Sequence, residues 1–152
     1  MLSKEYIAGF IDGEGYLGIM KMNNPKPRFV VAIKICQVSD QNAVLYEIQK
    51  QYGGRIEFRK FKQPTQRDAT ALCFLNNPEI RNVLKDIKDL LIVKKKQCEI
   101  LEEFVNLPKG KAASPLMVNR KSLEDKILFN KELFDKKEQL YLKIRKLNKV
   151  GN

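Results

Sequence analysis

Histidine is absent from the 152 residues of this chain, and cysteine occurs only three times. Without histidine, the chain has no Ser-His-Asp triad, no histidine-ligated zinc ion and no histidine general base. Cys36, Cys73 and Cys98 are odd in number and show no CxxC spacing. This pattern argues against a disulfide scaffold or a zinc site and favours a reducing compartment. Any catalysis is therefore expected to use carboxylates, lysines or a bound metal ion.

Long apolar segments are also missing, since the longest runs, such as residues 30–33 and 90–93, cover only a few positions. No transmembrane helix fits runs of this length, and the first residues lack the apolar core of a signal peptide. The sequence therefore predicts an intracellular protein, not a secreted one, without a membrane partner. A chain of 152 residues is long enough for one ordinary domain with a sizeable core.

Acidic residues are few relative to basic ones: 18 Asp and Glu stand against 29 Lys and Arg, which gives a net charge of +11. Residues 109–152 alone carry 12 basic and 5 acidic residues. Positive charge of this size favours a polyanionic partner, because binding neutralises phosphates and releases counterions. The charge balance therefore indicates nucleic acid as the partner.

The order of the predicted elements indicates an α+β fold. Apolar periodicity and turn residues predict, in chain order, helix 4–13, strands 16–22 and 28–37, helix 41–52, strands 55–62 and 69–76, and helix 78–89. Then follow a helical stretch at 91–104, a linker at 109–114 and a long amphipathic helix at 123–147. Strand pairs joined by short loops favour an antiparallel sheet with helices on one face. The predicted architecture is an αββαββα core with C-terminal helices.

The most unusual segment is residues 7–15, with the sequence IAGFIDGEG. Gly9 and Gly13 lie one turn apart on the predicted helix, although each glycine destabilises a helix interior by up to about 1 kcal/mol. Small residues at this spacing allow close approach of a second helix, so contact with a copy or a near-copy of this helix is expected. Glu14 would face the negative end of the helix dipole. A bound cation would remove this conflict, which makes Glu14 a candidate metal ligand.

This segment resembles the signature of the LAGLIDADG homing endonucleases. It has Ile7 for the first Leu, Phe10 for the second, and Gly13 and Glu14 for Ala and Asp. The order of elements over roughly residues 3–105 is similar to the core of that family, and so are residues 34–37 and the helix that ends at residues 52–54. The resemblance implies an endonuclease core at residues 1–107. Residues 108–152 are then a linker and helical extension of the same domain.

The resemblance also implies how the protein assembles and what it does. Family members with one motif form homodimers through paired motif helices, so the expected interface consists of Ile7, Ala8, Gly9, Ile11 and Asp12. The implied activity is metal-dependent hydrolysis of both strands of a long, pseudo-palindromic DNA site, associated with an intron or intein. Strand lengths predict a site of about 14–20 base pairs. The expected compartment is one that contains DNA, either a prokaryotic cytoplasm or an organelle.

The catalytic residues implied by the family pattern are Glu14, Gln37 and Lys94. Glu14 and the backbone carbonyl of Gly13 would bind Mg²⁺, which prefers hard oxygen ligands. Mn²⁺ is expected to substitute, whereas Ca²⁺ should bind without supporting cleavage. Gln37 fits a polar ring that positions water, and Lys94, with Lys96 as the second choice, would polarise a phosphate oxygen or the attacking water.

The family's saddle-shaped antiparallel sheet binds DNA in the major groove as a ribbon of side chains. The strand phase and the loops predict the DNA-contacting residues Tyr16, Gly18, Met20, Met22, Lys26, Arg28, Val30, Ala32, Lys34, Arg55, Glu57, Arg59, Gln63, Gln66, Arg67 and Thr70. The basic final helix is expected to contact phosphates or to pack on the core.

Two alternatives to DNA cleavage stay open on the sequence alone. One is an intron maturase, for which the partner would be RNA. The other is a protein of the same fold that binds DNA without cutting it. Loss of the motif acid would favour either alternative, and Glu14 is present.

Overall fold

Five α-helices and four β-strands make up the part of the chain that the structure, a computed structural model, describes: residues 1–60, 67–110 and 120–150. In chain order the elements are α1 (Lys4–Glu14), β1 (Gly15–Met22), β2 (Arg28–Val38), α2 (Ala43–Tyr52), β3 (Arg55–Arg59), β4 (Ala69–Phe74), α3 (Asn77–Ile87), α4 (Lys95–Val105) and α5 (Arg120–Val150). The predicted α+β class and the αββαββα order are confirmed, and α4 and α5 follow this core.

The four strands form one antiparallel sheet in the order β1-β2-β4-β3, so β1 lies at an edge. Side chains alternate between two faces along each strand. On one face, Leu17, Ile33 and Leu72 are fully buried and belong to a single core with the helices. The opposite face, here called the open face, carries Tyr16, Gly18, Met20, Met22, Arg28, Val30, Ala32, Lys34, Cys36, Arg55, Glu57, Arg59, Ala69, Ala71 and Cys73.

Local sequence signals explain where several elements begin and end. The hydroxyl of Ser3 accepts a hydrogen bond from the backbone N–H of Tyr6 and thereby caps α1. Asn76 caps α3 in the same way. Gly53 and Gly54, with φ of 80° and 91°, make the turn from α2 to β3 in a backbone region that other residues rarely adopt.

Residues 91–94 differ from the sequence prediction, which begins a helix there. They form a loop, and α4 begins at Lys95. Backbone N–H groups of this loop donate hydrogen bonds to the carboxylate of Asp12 in α1. They are therefore satisfied without a helix at residues 91–94. The predicted strand 55–62 also ends earlier, at Arg59, and the predicted Gln63 and Gln66 contacts lie outside the described residues.

Helix α5 packs along the edge strand β1. Its side chains Leu140 and Ile144 are buried in the core, and Phe134 contacts Phe29 of β2 at a ring-centroid distance of 5.2 Å. The side-chain amide of Asn148 donates a hydrogen bond of 2.9 Å to the backbone oxygen of Leu17. Packing on the core, one of the two roles expected for this helix, is therefore observed. None of the described helices is both long and apolar enough to cross a membrane.

Thr70 was expected on the DNA-contacting face, and the structure shows this expectation to be wrong. Its pairing partner in β2 is Gln37, and both side chains alternate onto the helix-covered side of the sheet. Thr70 is fully buried; its hydroxyl accepts a hydrogen bond of 3.0 Å from the amide of Asn42 and lies 3.2 Å from the hydroxyl of Ser39. On the open face, β4 instead presents the small side chains of Ala69, Ala71 and Cys73.

We expect Thr70→Val to destabilise the fold by about 1–3 kcal/mol, because the amide of the partly buried Asn42 loses its acceptor. Denaturant unfolding followed by circular dichroism measures the change. Thr70→Ser is the matched control, since it retains the hydroxyl. An unfolding free energy equal to that of the wild type would contradict the assigned role of this hydroxyl.

Candidate functional site

The junction of α1 and β1 exposes the last acidic residue of the motif. Helix α1 ends at Glu14, and β1 begins at Gly15, whose N–H donates to the carbonyl of Ile11. A Cβ at position 15 would lie only 2.5 Å from that carbonyl oxygen, so only glycine fits this close turn. Gly13 and Glu14 are both exposed. The carboxylate of Glu14 therefore stands in solvent at the C-terminal end of α1.

Asp12 was predicted in the dimer interface, but its carboxylate is used within the chain. It accepts hydrogen bonds from the backbone N–H groups of Ile92, Val93 and Lys94 at 2.6, 3.1 and 2.9 Å. Burial raises the pKa of Asp12, but the hydrogen bonds from Ile92, Lys94 and Val93 and the charge of Lys94 outweigh it, so the pKa is lowered. Asp12 thus joins the end of α1 to the loop before α4.

Lys94 is held beside the exposed end of α1. Its ammonium group donates a hydrogen bond to the backbone oxygen of Asp12. A surface cleft of about 370 Å³ adjoins it and is also lined by Gly13, Tyr16, Gln97 and Asn148. Of the two candidate lysines, Lys94 lines this cleft, whereas Lys96 is exposed and does not.

Gln97 and Asn148 were not predicted from the sequence as members of this site. Gln97 lies in the first turn of α4, three residues after Lys94, which directly precedes this helix, and both side chains line the cleft. This spacing was a usable signal for Gln97. Asn148 reaches the cleft from α5, and nothing in the sequence indicates that α5 passes this point.

Gln37 lies at the same end of the sheet as Glu14. Ile35 of β2 pairs with Gly15, the first residue of β1, and Gln37 follows Ile35 by two residues along β2. It is partly exposed, and it does not line the cleft beside Lys94. Gln37 therefore lies at the same end of the sheet as Glu14, without a direct contact to Glu14 or Lys94 in the described residues.

The donor atoms of one copy do not complete a metal site. Within the described ranges, no group of three or more His, Cys, Asp or Glu side chains is placed to hold an ion. Glu14 and the adjacent backbone oxygen of Gly13 are hard oxygen donors of the kind that Mg²⁺ prefers. They fit a divalent cation that takes its remaining ligands from water, from a second copy or from a phosphate.

Only one side of α1 is available to a partner. Ile7, Ala8 and Ile11, predicted in the interface, are at most 1% exposed because they pack into the core of their own chain. These three assignments are corrected, since a partner helix cannot reach these side chains. The outward stripe consists of Tyr6, Gly9, Phe10 and Gly13, at helical spacings of three and four residues. A Cβ at Gly9 or Gly13 would meet no atom within 4 Å.

The strand pairing places the predicted residues of β1, β2 and β3 on the open face. Tyr16 pairs with Lys34, and Met22 pairs with Arg28. Two of the predicted contacts are corrected, because they are covered. Ala32 is fully buried, and the phenol of Tyr16 occupies the space above Gly18.

The charges of the open face lie mainly at its β3 side and in the loops. Arg55 forms an ion pair with Glu57, and this hydrogen bond lowers the pKa of Glu57 despite burial. Glu57 is therefore placed to orient Arg55. Lys26, between β1 and β2, and Arg67, before β4, are exposed at the ends of the sheet.

This combination of fold and motif defines a class of protein. The family model described as "LAGLIDADG endonuclease" matches residues 7–102. The chain belongs to the LAGLIDADG endonuclease family. A search of curated protein sequences finds no significant match.

Solved structures of homing endonucleases share this fold at low sequence identity. I-TnaI is 17% identical with a TM-score of 0.69, and the match covers 97% of this chain and 95% of that one. I-CvuI, in complex with the I-CreI target in 2 mM Mg with the DNA not cleaved, is 17% identical with a TM-score of 0.60, covering 98% and 94%. I-SmaMI, bound to uncleaved DNA with calcium ions, is 14% identical with a TM-score of 0.67, covering 96% of this chain and 46% of that one.

We expect Asp12→Asn to destabilise the fold at neutral pH by about 1–3 kcal/mol, because the amide nitrogen cannot accept the N–H groups of the loop. The pKa of Asp12 is below its usual 3.8 in the folded chain, so its stabilising effect is present above pH 3.8 and is lost as the pH falls through the folded value. Urea unfolding between pH 7 and pH 3 measures this.

The difference between wild type and Asp12→Asn should therefore shrink at the acidic end of that series. Asp89→Asn changes an exposed aspartate near the same loop and serves as the control. A difference that stays constant down to pH 3 would contradict the hydrogen-bonding role of the Asp12 carboxylate.

Proposed function

We propose that this protein is a site-specific homing endonuclease, associated with an intron or intein, that acts as a homodimer. It hydrolyses both strands of double-stranded DNA with the help of a divalent metal ion. The observation that carries the proposal is the position of Glu14: an exposed carboxylate at the end of α1, between an outward glycine stripe and the cleft of Lys94. An acid so placed favours cleavage over a maturase or a DNA-binding protein without activity.

The outward stripe of α1 supports a homodimer. Gly9 and Gly13 leave open space where other residues have side chains, which permits a second backbone to approach closely. The rings of Tyr6 and Phe10, which belong to this stripe, stack at a centroid distance of 6.1 Å and add apolar surface that is partly exposed. Pairing two α1 helices along this stripe would bring two Glu14 carboxylates together, one for each DNA strand.

Glu14 and the carbonyl of Gly13 would hold Mg²⁺ in this proposal. When bound, the ion supplies charge stabilisation to the attacking and leaving oxygens of the phosphodiester. Mn²⁺ would substitute, and Ca²⁺ would bind without supporting hydrolysis. Lys94, which lines the cleft, would bind a nonbridging phosphate oxygen, and Gln37 would orient water at the same end of the sheet.

The open face is the proposed DNA-binding surface. Its basic side chains Arg28, Lys34, Arg55 and Arg59 can contact phosphates or guanine edges in the major groove. Strands β1 and β2 contain 8 and 11 residues. At about 3.3 Å per residue, each sheet would cover about 8–11 base pairs, and a dimer about 16–22. The two-fold symmetry of a dimer makes such a target pseudo-palindromic.

We expect Glu14→Gln to lower cleavage on the order of 10³-fold, because the amide preserves the shape but removes the negative charge that holds the cation. A plasmid library with randomised two-fold symmetric sites identifies a cleaved target. Linearisation of that target with Mg²⁺ then compares the variant with the wild type. Binding of the target in Ca²⁺ should be retained.

Glu5→Gln is the matched control, because Glu5 is an exposed acid at the opposite end of the same helix. It should cleave at the wild-type rate. Normal cutting of both strands by Glu14→Gln would show that the proposed catalytic role of this carboxylate is wrong.

We expect Gly9→Leu to give monomers or aggregates without cleavage activity while each chain remains folded. The new Cβ meets no atom of its own chain within 4 Å, and the larger side chain would keep two helices apart. Light scattering measures the mass, and thermal unfolding measures the stability. Asn82→Leu places the same side chain on the exposed surface of α3 and should leave the dimer intact. An active Gly9→Leu dimer would exclude this interface.

A further inference from the structure

A second basic surface lies beside the open face, where α5 passes the edge strand β1. A shallow cleft of about 270 Å³ separates the two elements. Tyr16 and Met20 of the open face line it on one side, and Arg145 and Lys149 of α5 line it on the other. The two cationic side chains therefore border the proposed DNA-binding surface.

Several contacts hold α5 in this position. The Asn148 amide is bonded to the backbone oxygen of Leu17, and Ile144 is buried in the core. Farther along, Lys21 of β1 forms an ion pair of 2.6 Å with Glu138. These contacts hold α5 along β1. They thereby fix the part of the backbone that carries Arg145 and Lys149.

The charge of this end of α5 is of one sign. Residues 141–150, with the sequence YLKIRKLNKV, contain four basic residues and no acidic one. Arg145 lies 6.0 Å from the ring of Tyr141 and donates a hydrogen bond of 3.3 Å to its hydroxyl, which limits the orientations of the guanidinium. Arg145 and Lys149 are both exposed and are one helical turn apart.

We propose that Arg145 and Lys149 bind the phosphate backbone of the DNA that lies on the open face. This inference rests on the proposed function, since it assigns a second contact surface to the same duplex. Contacts to phosphates position a protein on the duplex, whereas contacts to base edges read its sequence. The contact contributes affinity and salt dependence without sequence preference.

The chain offers a matched control on the same helix. Lys143 and Lys146 carry the same total charge as Arg145 and Lys149 and are also exposed, but they do not line the cleft beside β1. The test compares the double variant Arg145→Gln, Lys149→Gln with the double variant Lys143→Gln, Lys146→Gln. Both lose the same net charge, so a difference between them reports position and not overall electrostatics.

The probe is a 30-base-pair DNA duplex of arbitrary sequence, with affinity measured in Ca²⁺ over a series of salt concentrations. Each lost phosphate contact should reduce the slope of log K against log salt by about 0.9, so a dimer that loses four contacts changes by about 3 to 4. The Arg145, Lys149 double variant should show this change, and the Lys143, Lys146 variant a much smaller one. Equal slopes for the two variants would overturn the proposal.

This result is separable from the proposed activity, because the duplex is not cleaved and contains no target. A wild type that fails to bind the duplex would contradict both proposals. A wild type that binds it, with equal slopes in the two variants, would contradict only the phosphate contacts of α5. Far-ultraviolet circular dichroism confirms that both double variants retain the helix.

Discussion

The hydrogen bonds of the Asp12 carboxylate are the contact on which the candidate site depends. They connect the end of α1 to N–H groups that are 80 or more residues away in the chain. Because an ionised carboxylate that accepts several backbone hydrogen bonds is strongly stabilised, α1 and the loop before α4 are fixed relative to each other. Lys94 is consequently held beside Gly13 and the exposed Glu14. The site thus results from a tertiary contact and not from the motif alone.

The open face has small, buried residues on its central strands and charged side chains on β3. Ala32, Ala71 and Cys73 are buried on it, because small residues at the centre of the sheet are covered by their larger neighbours. On β3, Arg55 is exposed and forms an ion pair with Glu57. A duplex on this face would therefore meet the larger side chains around these small residues and not the small residues themselves.

The sequence predicts the fold and the open face well because both follow from local periodicity. Alternation along β1 and β2 correctly places Tyr16 and Lys34 on one face, and the observed pairing joins them. Thr70 is polar but lies in the strand phase of the covered face, so its polarity does not indicate exposure. Ile7 was misplaced because the motif does not state which side of its helix faces the core. The partners of Asp12 and the path of α5 depend on long-range packing, which a single sequence does not encode in any local pattern.

The two sides of α1 have different roles. One side packs into the core of its own chain, and the other is the side proposed to pair with a second chain. Ile7 and Ile11 anchor the helix in its own core, while Gly9 and Gly13 stay open on the other side. Because the chain retains glycine where its own packing places no atom, the helix gives up stability that alanine would provide. That loss is explained if a second backbone occupies the open side. The same pairing would supply the further carboxylate that one copy lacks, so assembly and metal binding would occur together.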